Sequence, residues 1–239
     1  MKRLRLGMIV PSLNTIAEDD FRAFCPADVS YHVHRIRLRK ENGRVSMDSL
    51  TRAYLEAIDE VEYLKDLSPD AIAFNCTGAS VAHGSGCDVA LAACMTEKLG
   101  VPSTNTMVAI KDALRFVCAE AVLHVCPFGD DFSRVERQSL VDANLDVQRT
   151  VSLGFTDAKV AAQMQPEEIA ETVKMHVDGD TRALLLSCAN VRAFEAVKVL
   201  EAELNLPVVT SNQAMLWAVL QAAGWRGNIE GAGKLFNGN

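Results

Sequence analysis

The chain has 239 residues, 49% hydrophobic and 23% charged, with a formal net charge of −7 at pH 7. That is enough for one large α/β domain or two small ones, and an acidic balance without a basic stripe excludes a general nucleic-acid binder. No run approaches the roughly 18 apolar residues of a membrane helix, so no membrane partner is expected and the protein is read as soluble and cytoplasmic.

The N-terminal MKRLRLGMIVPS has a basic start and a short apolar run that Pro11 breaks, too short for a secretory signal. It reads as a first strand over 4–10. A helix over 15–25 and a strand over 31–38 follow. The cluster Arg35, Arg37, Arg39 and Lys40 reads as a solvated strand end. Next come a helix over 46–67, a strand over 70–75, and helices over 87–100 and 107–119. The second part continues with strands over 121–126, 145–153, 182–187 and 207–211. Helices over 131–144, 166–179, 191–205 and 212–224 alternate with them. This alternation predicts βαβ units and mostly parallel sheets. DAIAF and RALLL are continuous apolar runs, as strands buried on both faces require.

Three segments recur in order. LGMIVPSLN (6–14) resembles LHVCPFGDD (123–131), DAIAFNCTGAS (70–80) resembles RALLLSCANVR (182–192), and GVPSTNTMVAIKDAL (100–114) resembles NLPVVTSNQAMLWAV (205–219), with Asn105 opposite Asn212. Together they predict two pseudo-symmetric, Rossmann-like α/β halves with four-stranded sheets, 1–115 and 116–230. The segment from about 213 to 239 is expected to pack back on the first half.

Seven cysteines, an odd number without CxxC spacing, argue against a disulfide framework and against zinc. No metal site is expected, and the pair His83 and Cys87 is a weak one. Cys94, Cys118 and Cys126 read as small buried hydrophobes. Cys76 and Cys188 differ, because each ends a buried strand at an equivalent place in its half. Ligands of parallel α/β sheets bind outside the strands' C-terminal ends, where helix N-termini attract anions. A pseudo-twofold axis brings the two thiols to one cleft, and a helix N-terminus is expected to lower a thiol pKa.

The residues GMIVPSLNTIAED (7–19), FNCTGAS (74–80), LLLSCANVRAFE (184–195) and LPVVTSNQAMLWAVL (206–220) resemble the aspartate/glutamate racemase superfamily. Within it the chain is most similar to the branch of maleate cis-trans isomerases and arylmalonate decarboxylases. The resemblance implies two α/β halves with the active site between them, and no metal or organic cofactor. It implies a cofactor-independent isomerase of a small carboxylic acid, foremost maleate to fumarate. Cys76 is then the nucleophile and Cys188 the general acid/base. Asn14 matches the substrate-binding Asn of the PSxNT motif, although such a position also caps helices. Thr77, Gly78 and Ala189 are expected to hold carboxylate oxygens, Thr77 having a plain N-cap as its alternative. Asn212 either touches substrate or orients a loop.

Two departures from the isomerase pattern stand out. Pro127-Phe128 replaces a PY motif, and Asp157-Ala158 stands where an Asn is usual. Losing two polar contacts costs about 1–3 kcal/mol each, which points to a less polar group at one end of the substrate and makes Phe128 part of its pocket. The decarboxylases of the branch carry one catalytic cysteine, and this chain has both, which favours isomerase or racemase chemistry. Racemase or decarboxylase activity is the alternative, and a non-catalytic small-acid binder the second. VPSLNT is not GxGxxG, no GxxxxGK[ST] occurs, and no GxSxG marks a serine hydrolase. A homo-oligomer, dimer or higher, is expected, with helices 15–25 and 46–67 able to offer a face.

Overall fold

The computed structural model describes residues 3–41 and 43–237. In its first half β1 (Leu4–Pro11), α1 (Ala17–Phe24), β2 (Val29–Ile36), α2 (Met47–Glu60), β3 (Ala71–Phe74), α3 (Thr77–Ser80), α4 (Cys87–Leu99), β4 (Ser103–Asn105) and α5 (Thr106–Phe116) follow one another. The second half holds β5 (Val122–Phe128), α6 (Asp130–Asp142), β6 (Val147–Phe155), α7 (Ala158–Ala161), α8 (Pro166–Lys174), β7 (Ala183–Leu186), α9 (Ala193–Leu204), β8 (Val208–Thr210) and α10 (Ser211–Ala222). Two four-stranded sheets result, in the orders β2-β1-β3-β4 and β6-β5-β7-β8. Every pairing is parallel. The α/β architecture of two matching halves is the one expected.

The central strands explain the apolar runs. All four residues of β3, AIAF, and of β7, ALLL, are buried, and each large side chain so covered contributes about 1.5–3 kcal/mol. Helix starts are fixed by short polar side chains that accept orphan N–H groups. Ser46 forms a capping box with Ser49 at α2, Asn105 accepts from Met107 and Val108 at α5, and Thr210 accepts from Gln213 at α10.

The structure corrects five expectations. The strand β4, only three residues long, was not separated from its surroundings in the sequence. The strand placed at 31–38 runs over Val29–Ile36, and the helix placed at 46–67 ends at Glu60 and continues as a 3-10 turn, Val61–Leu67. In the third repeat the capping residues Asn105 and Thr210 occupy matching places, so Asn105 does not answer Asn212. Cys118 is exposed rather than buried.

One hydrophobic core runs through both halves, joining Met8, Phe21 and Ile110 to Leu184, Phe194 and Leu216. Phe24 of α1 stacks on Phe194 of α9 with centroids 3.9 Å apart, and Phe116 of α5 meets Trp217 of α10 at 5.1 Å. Helix α10 lies against α5, β3 and β4, while the turn Lys234–Phe236 lies against α10 and β8. No helix among the described residues is long and apolar enough to cross a membrane.

Candidate active site

A cavity of about 340 Å³ opens where strand ends of both sheets meet, and Cys76 and Cys188 both line it. Asn14, Thr77, Gly78, Phe128 and Ala189 line it as well. Seven of the eight site residues singled out in the sequence are thus brought to one wall. The eighth, Asn212, is not. It is buried, its Nδ2 donates to Asp20 (2.6 Å) and to the Ala189 carbonyl (3.1 Å), and its Oδ1 accepts from Asn75 (3.0 Å). With its amide engaged three times, Asn212 orients the loops and does not reach the cavity.

Each cysteine sits where its strand ends. Cys76 follows β3 in extended conformation as the N-cap of α3. The N–H groups of Thr77 and Gly78, at the start of that turn, have no intrahelical acceptor. A Cβ on Gly78 would stand 2.9 Å from Leu50 Cδ1, so any larger residue there needs Leu50 to move aside. Cys188 follows β7 with φ +99°, a conformation that costs a non-glycine residue on the order of 1–3 kcal/mol. Two hydrogen bonds hold it there: its N–H donates to Ser211 Oγ (2.9 Å), and its Sγ accepts from the Asn190 N–H (3.3 Å). Ser211 Oγ also pairs with Thr77 Oγ1 at 3.0 Å, so one hydroxyl chain ties the two loops together.

Asn14 does two things at once. Its Oδ1 accepts from the N–H groups of Ile16 and Ala17, the capping role, and its Nδ2 donates to the Ala189 carbonyl at 2.9 Å. An amide nitrogen carries two protons, which leaves one for a ligand. Arg35 braces this residue from behind, donating to the Asn14 carbonyl at 3.1 Å and to Glu18. The basic cluster is therefore more than a solvated strand end, because Lys40, at its edge, also lines the cavity.

The electrostatics overturn the expectation of low thiol pKa values. Burial pushes Cys76 up to about 12 from an ordinary 9.0; the Ala79 N–H opposes this and Glu136 adds to it. Cys188 is likewise pushed up to about 12, first by burial, against the Asn190 N–H, with Glu136 and Cys76 adding to the rise. A single short turn cannot offset the loss of solvation. Both thiols therefore rest protonated near neutral pH.

Sequence reasoning missed Glu136 and Ser211. Glu136 lies on α6 and on the cavity wall, 3% exposed. The signal was a charge among Phe132 and Leu140, four residues to either side on the inward stripe. Cys87 donates its thiol proton to the Ser80 carbonyl, and His83 packs on Tyr54, so these two form no ligand pair. No group of three metal-ligating side chains occurs among the described residues. The rest of the lining is mixed, with Leu13, Leu38, Val45, Phe132 and Phe155 beside Phe128, and Lys40, Arg44, Asp131, Thr156 and Asp157 among them.

Comparison with known proteins agrees with this geometry. The chain is 23% identical to a maleate isomerase of Geobacillus stearothermophilus over 99% of this chain and 98% of that one. It is 24% identical to an arylmalonate decarboxylase of Bordetella bronchiseptica over 97% and 96%. Among solved structures, Nocardia farcinica maleate cis-trans isomerase, holding a covalently bound succinylcysteine intermediate, superposes with a TM-score of 0.90 at 20% identity, covering 99% of each chain. The sequence model of the family described as arylmalonate decarboxylase matches residues 6–236. That match takes in both sheets and every residue named on the cavity wall, and the chain belongs to the arylmalonate decarboxylase family.

Proposed function

We propose that the chain is a cofactor-independent isomerase of a small cis-unsaturated carboxylic acid, with maleate to fumarate as the type reaction. Cys76 and Cys188 are its catalytic residues. The observation that carries this reading is the placement of two thiols, from matching strand ends of two halves, on the wall of one small cavity. The relatives named maleate isomerase, and the neighbour holding a succinylcysteine, support it.

In this reading Cys76 first loses its proton to solvent, and the thiolate so formed adds to one alkene carbon. The π electrons move to the neighbouring carbon, α to the carboxylate, and the Cys188 thiol protonates it. The former double bond is now single and rotates. Cys188, as thiolate, takes the proton back, the double bond re-forms in the trans geometry, and the carbon–sulfur bond to Cys76 breaks. A thiolate is both a strong nucleophile and a good leaving group, which each direction of this cycle needs. Asn14, through its remaining N–H, and the backbone at Thr77, Gly78 and Ala189 hold the carboxylate. Phe128 gives that pocket a ring without a hydroxyl.

The apolar wall of Phe128, Phe132 and Phe155 favours one second reading: proton exchange or decarboxylation at the α-carbon of an aryl-substituted acid. We also propose that residues 1–115 and 116–230 act as two domains, and that the protein works in the cytoplasm as a homo-oligomer. All seven cysteines being free thiols supports that compartment.

Proton NMR in deuterated buffer tests the reading, with maleate offered to wild type, Cys76→Ala and Cys188→Ala. Fumarate from wild type and from neither variant is expected. Fumarate formed equally by either variant contradicts the assignment. Deuterium entering arylmalonates, without any action on maleate, moves the assignment to the second reading.

A further inference from the structure

Most polar side chains on the cavity wall are already engaged. Asn75 accepts from Thr106 and donates to Asn212, Asn190 accepts from the Thr15 N–H and donates to the Ala158 carbonyl, and Thr77 pairs with Ser211. Glu136 differs. Its carboxyl is buried, and its Oε2 has no hydrogen-bond partner. The nearest donor is His124 Nε2, 3.3 Å away, which sits closer to Ser187 Oγ, at 2.9 Å. His124 is itself fully buried, and its Nδ1 is left to the Thr150 hydroxyl at 3.4 Å. A buried carboxyl with unused lone pairs is costly unless a ligand supplies the donor.

The position of this carboxyl makes it a recognition group. It lies on the wall shared by both thiols, and its charge is felt at Cys76 and at Cys188. The cations on the same wall, Lys40 and Arg44, come from the other half, in the connection between β2 and α2. Lys40 is partly taken by Asp157 at 3.7 Å. The cavity thus offers cations and N–H groups for one carboxylate, while Glu136, with Asp131 and Asp157 also on the lining, leaves the rest of it acidic. A second carboxylate beside Glu136 meets like charge in a weakly screened site.

We infer that Glu136 accepts a hydrogen bond from the substrate, so that the preferred substrate is a cis-unsaturated acid with a carboxylate at one end and an amide at the other. This rests on the isomerase reading above and adds a substrate class to it. Glu136 is a specificity-determining residue in this scheme. It takes no part in the bond-making steps, which run through the two sulfurs as before. The carboxamide N–H donates to Glu136, while the carboxylate is held by Asn14 and the free backbone N–H groups.

The test compares maleate with its half-amide, maleamate, on wild type and on Glu136→Gln. Turnover is followed by NMR and binding by calorimetry. Wild type is expected to favour maleamate by about 10- to 100-fold in kcat/KM and in affinity. Glu136→Gln keeps the shape and offers an N–H, so it is expected to lose that preference and to accept maleate at least as well as wild type does. A wild type that prefers maleate overturns the inference, even if the variant fails to fold. So does a ratio that Glu136→Gln leaves unchanged. If neither acid is converted, the isomerase reading fails, and the binding ratio still decides the role of Glu136.

Discussion

The raised thiol pKa values make a quantitative prediction about the empty enzyme. Cys76 and Cys188 stand at about 12 against an ordinary 9.0. Three units leave roughly a thousandth of the thiolate that an unperturbed cysteine has at the same pH, or about 4 kcal/mol against ionisation. Access is not the obstacle, since both side chains line a cavity of about 340 Å³. Iodoacetamide labelling followed by peptide mass spectrometry reads the difference, with exposed Cys118 as the internal reference. Cys118 is expected to be carbamidomethylated first, and Cys76 and Cys188 at least about a hundredfold more slowly. A thiol is an acid, so a raised pKa favours its neutral form, and thiolate grows about tenfold per pH unit until the pKa is reached. Labelling of both cysteines, and kcat/KM for the acid substrate, should therefore rise about tenfold per unit between pH 7 and 9. Labelling of Cys76 or Cys188 as fast as Cys118 at pH 7, or a plateau below pH 9, would refute the claim that burial dominates.

Three further outcomes follow from buried polar groups. Asp20 is lifted by burial to about 7, against the pull of the Asn212 N–H. The folded protein then holds this proton longer than the unfolded chain, so stability falls as pH rises from about 3.8 to 7. Asp20→Asn keeps an acceptor for Asn212 and removes the titration; its Tm gain over wild type should be larger at pH 8 than at pH 5, and a gain independent of pH sinks the argument. Lys111 pairs with buried Asp88 at 2.6 Å between α4 and α5. Lys111→Met leaves that carboxylate alone and should cost about 3–5 kcal/mol in denaturant unfolding, largely recovered by adding Asp88→Asn; a loss under about 1 kcal/mol says the pair is not buried in solution. Ser211→Ala removes the acceptor of the Cys188 N–H and the partner of Thr77. It should lower kcat at least about tenfold while KM changes little, and an unchanged kcat means that the strained backbone at Cys188 holds itself.

What the sequence disclosed, it disclosed through burial. AIAF and ALLL are uninterrupted apolar runs, so the central strands and the two thiols at their ends stood out. β4 did not, because three residues carry no period, although the repeat had already paired its segment with β8. Asn14 and Asn212 look alike in the chain, each near the start of a helix. Only the packing of α10 against the first sheet decides that Asn212 is sealed in and Asn14 faces the cavity. The direction of the thiol shifts was hidden for the same reason. A turn after a strand is local and readable, whereas desolvation depends on what the other half places over it. Glu136 was passed over because a charge in an amphipathic helix is ordinarily on the wet face.

The account stands or falls on the bond between Cys76 and the substrate. The direct measurement is intact-protein and peptide mass spectrometry of Cys188→Ser after incubation with maleate and with maleamate. The account predicts a mass increase of one substrate molecule, mapped to the peptide carrying Cys76 and absent from Cys76→Ala. An unmodified Cys76 in an enzyme whose wild type converts the same acid, or an adduct mapped elsewhere, would contradict it.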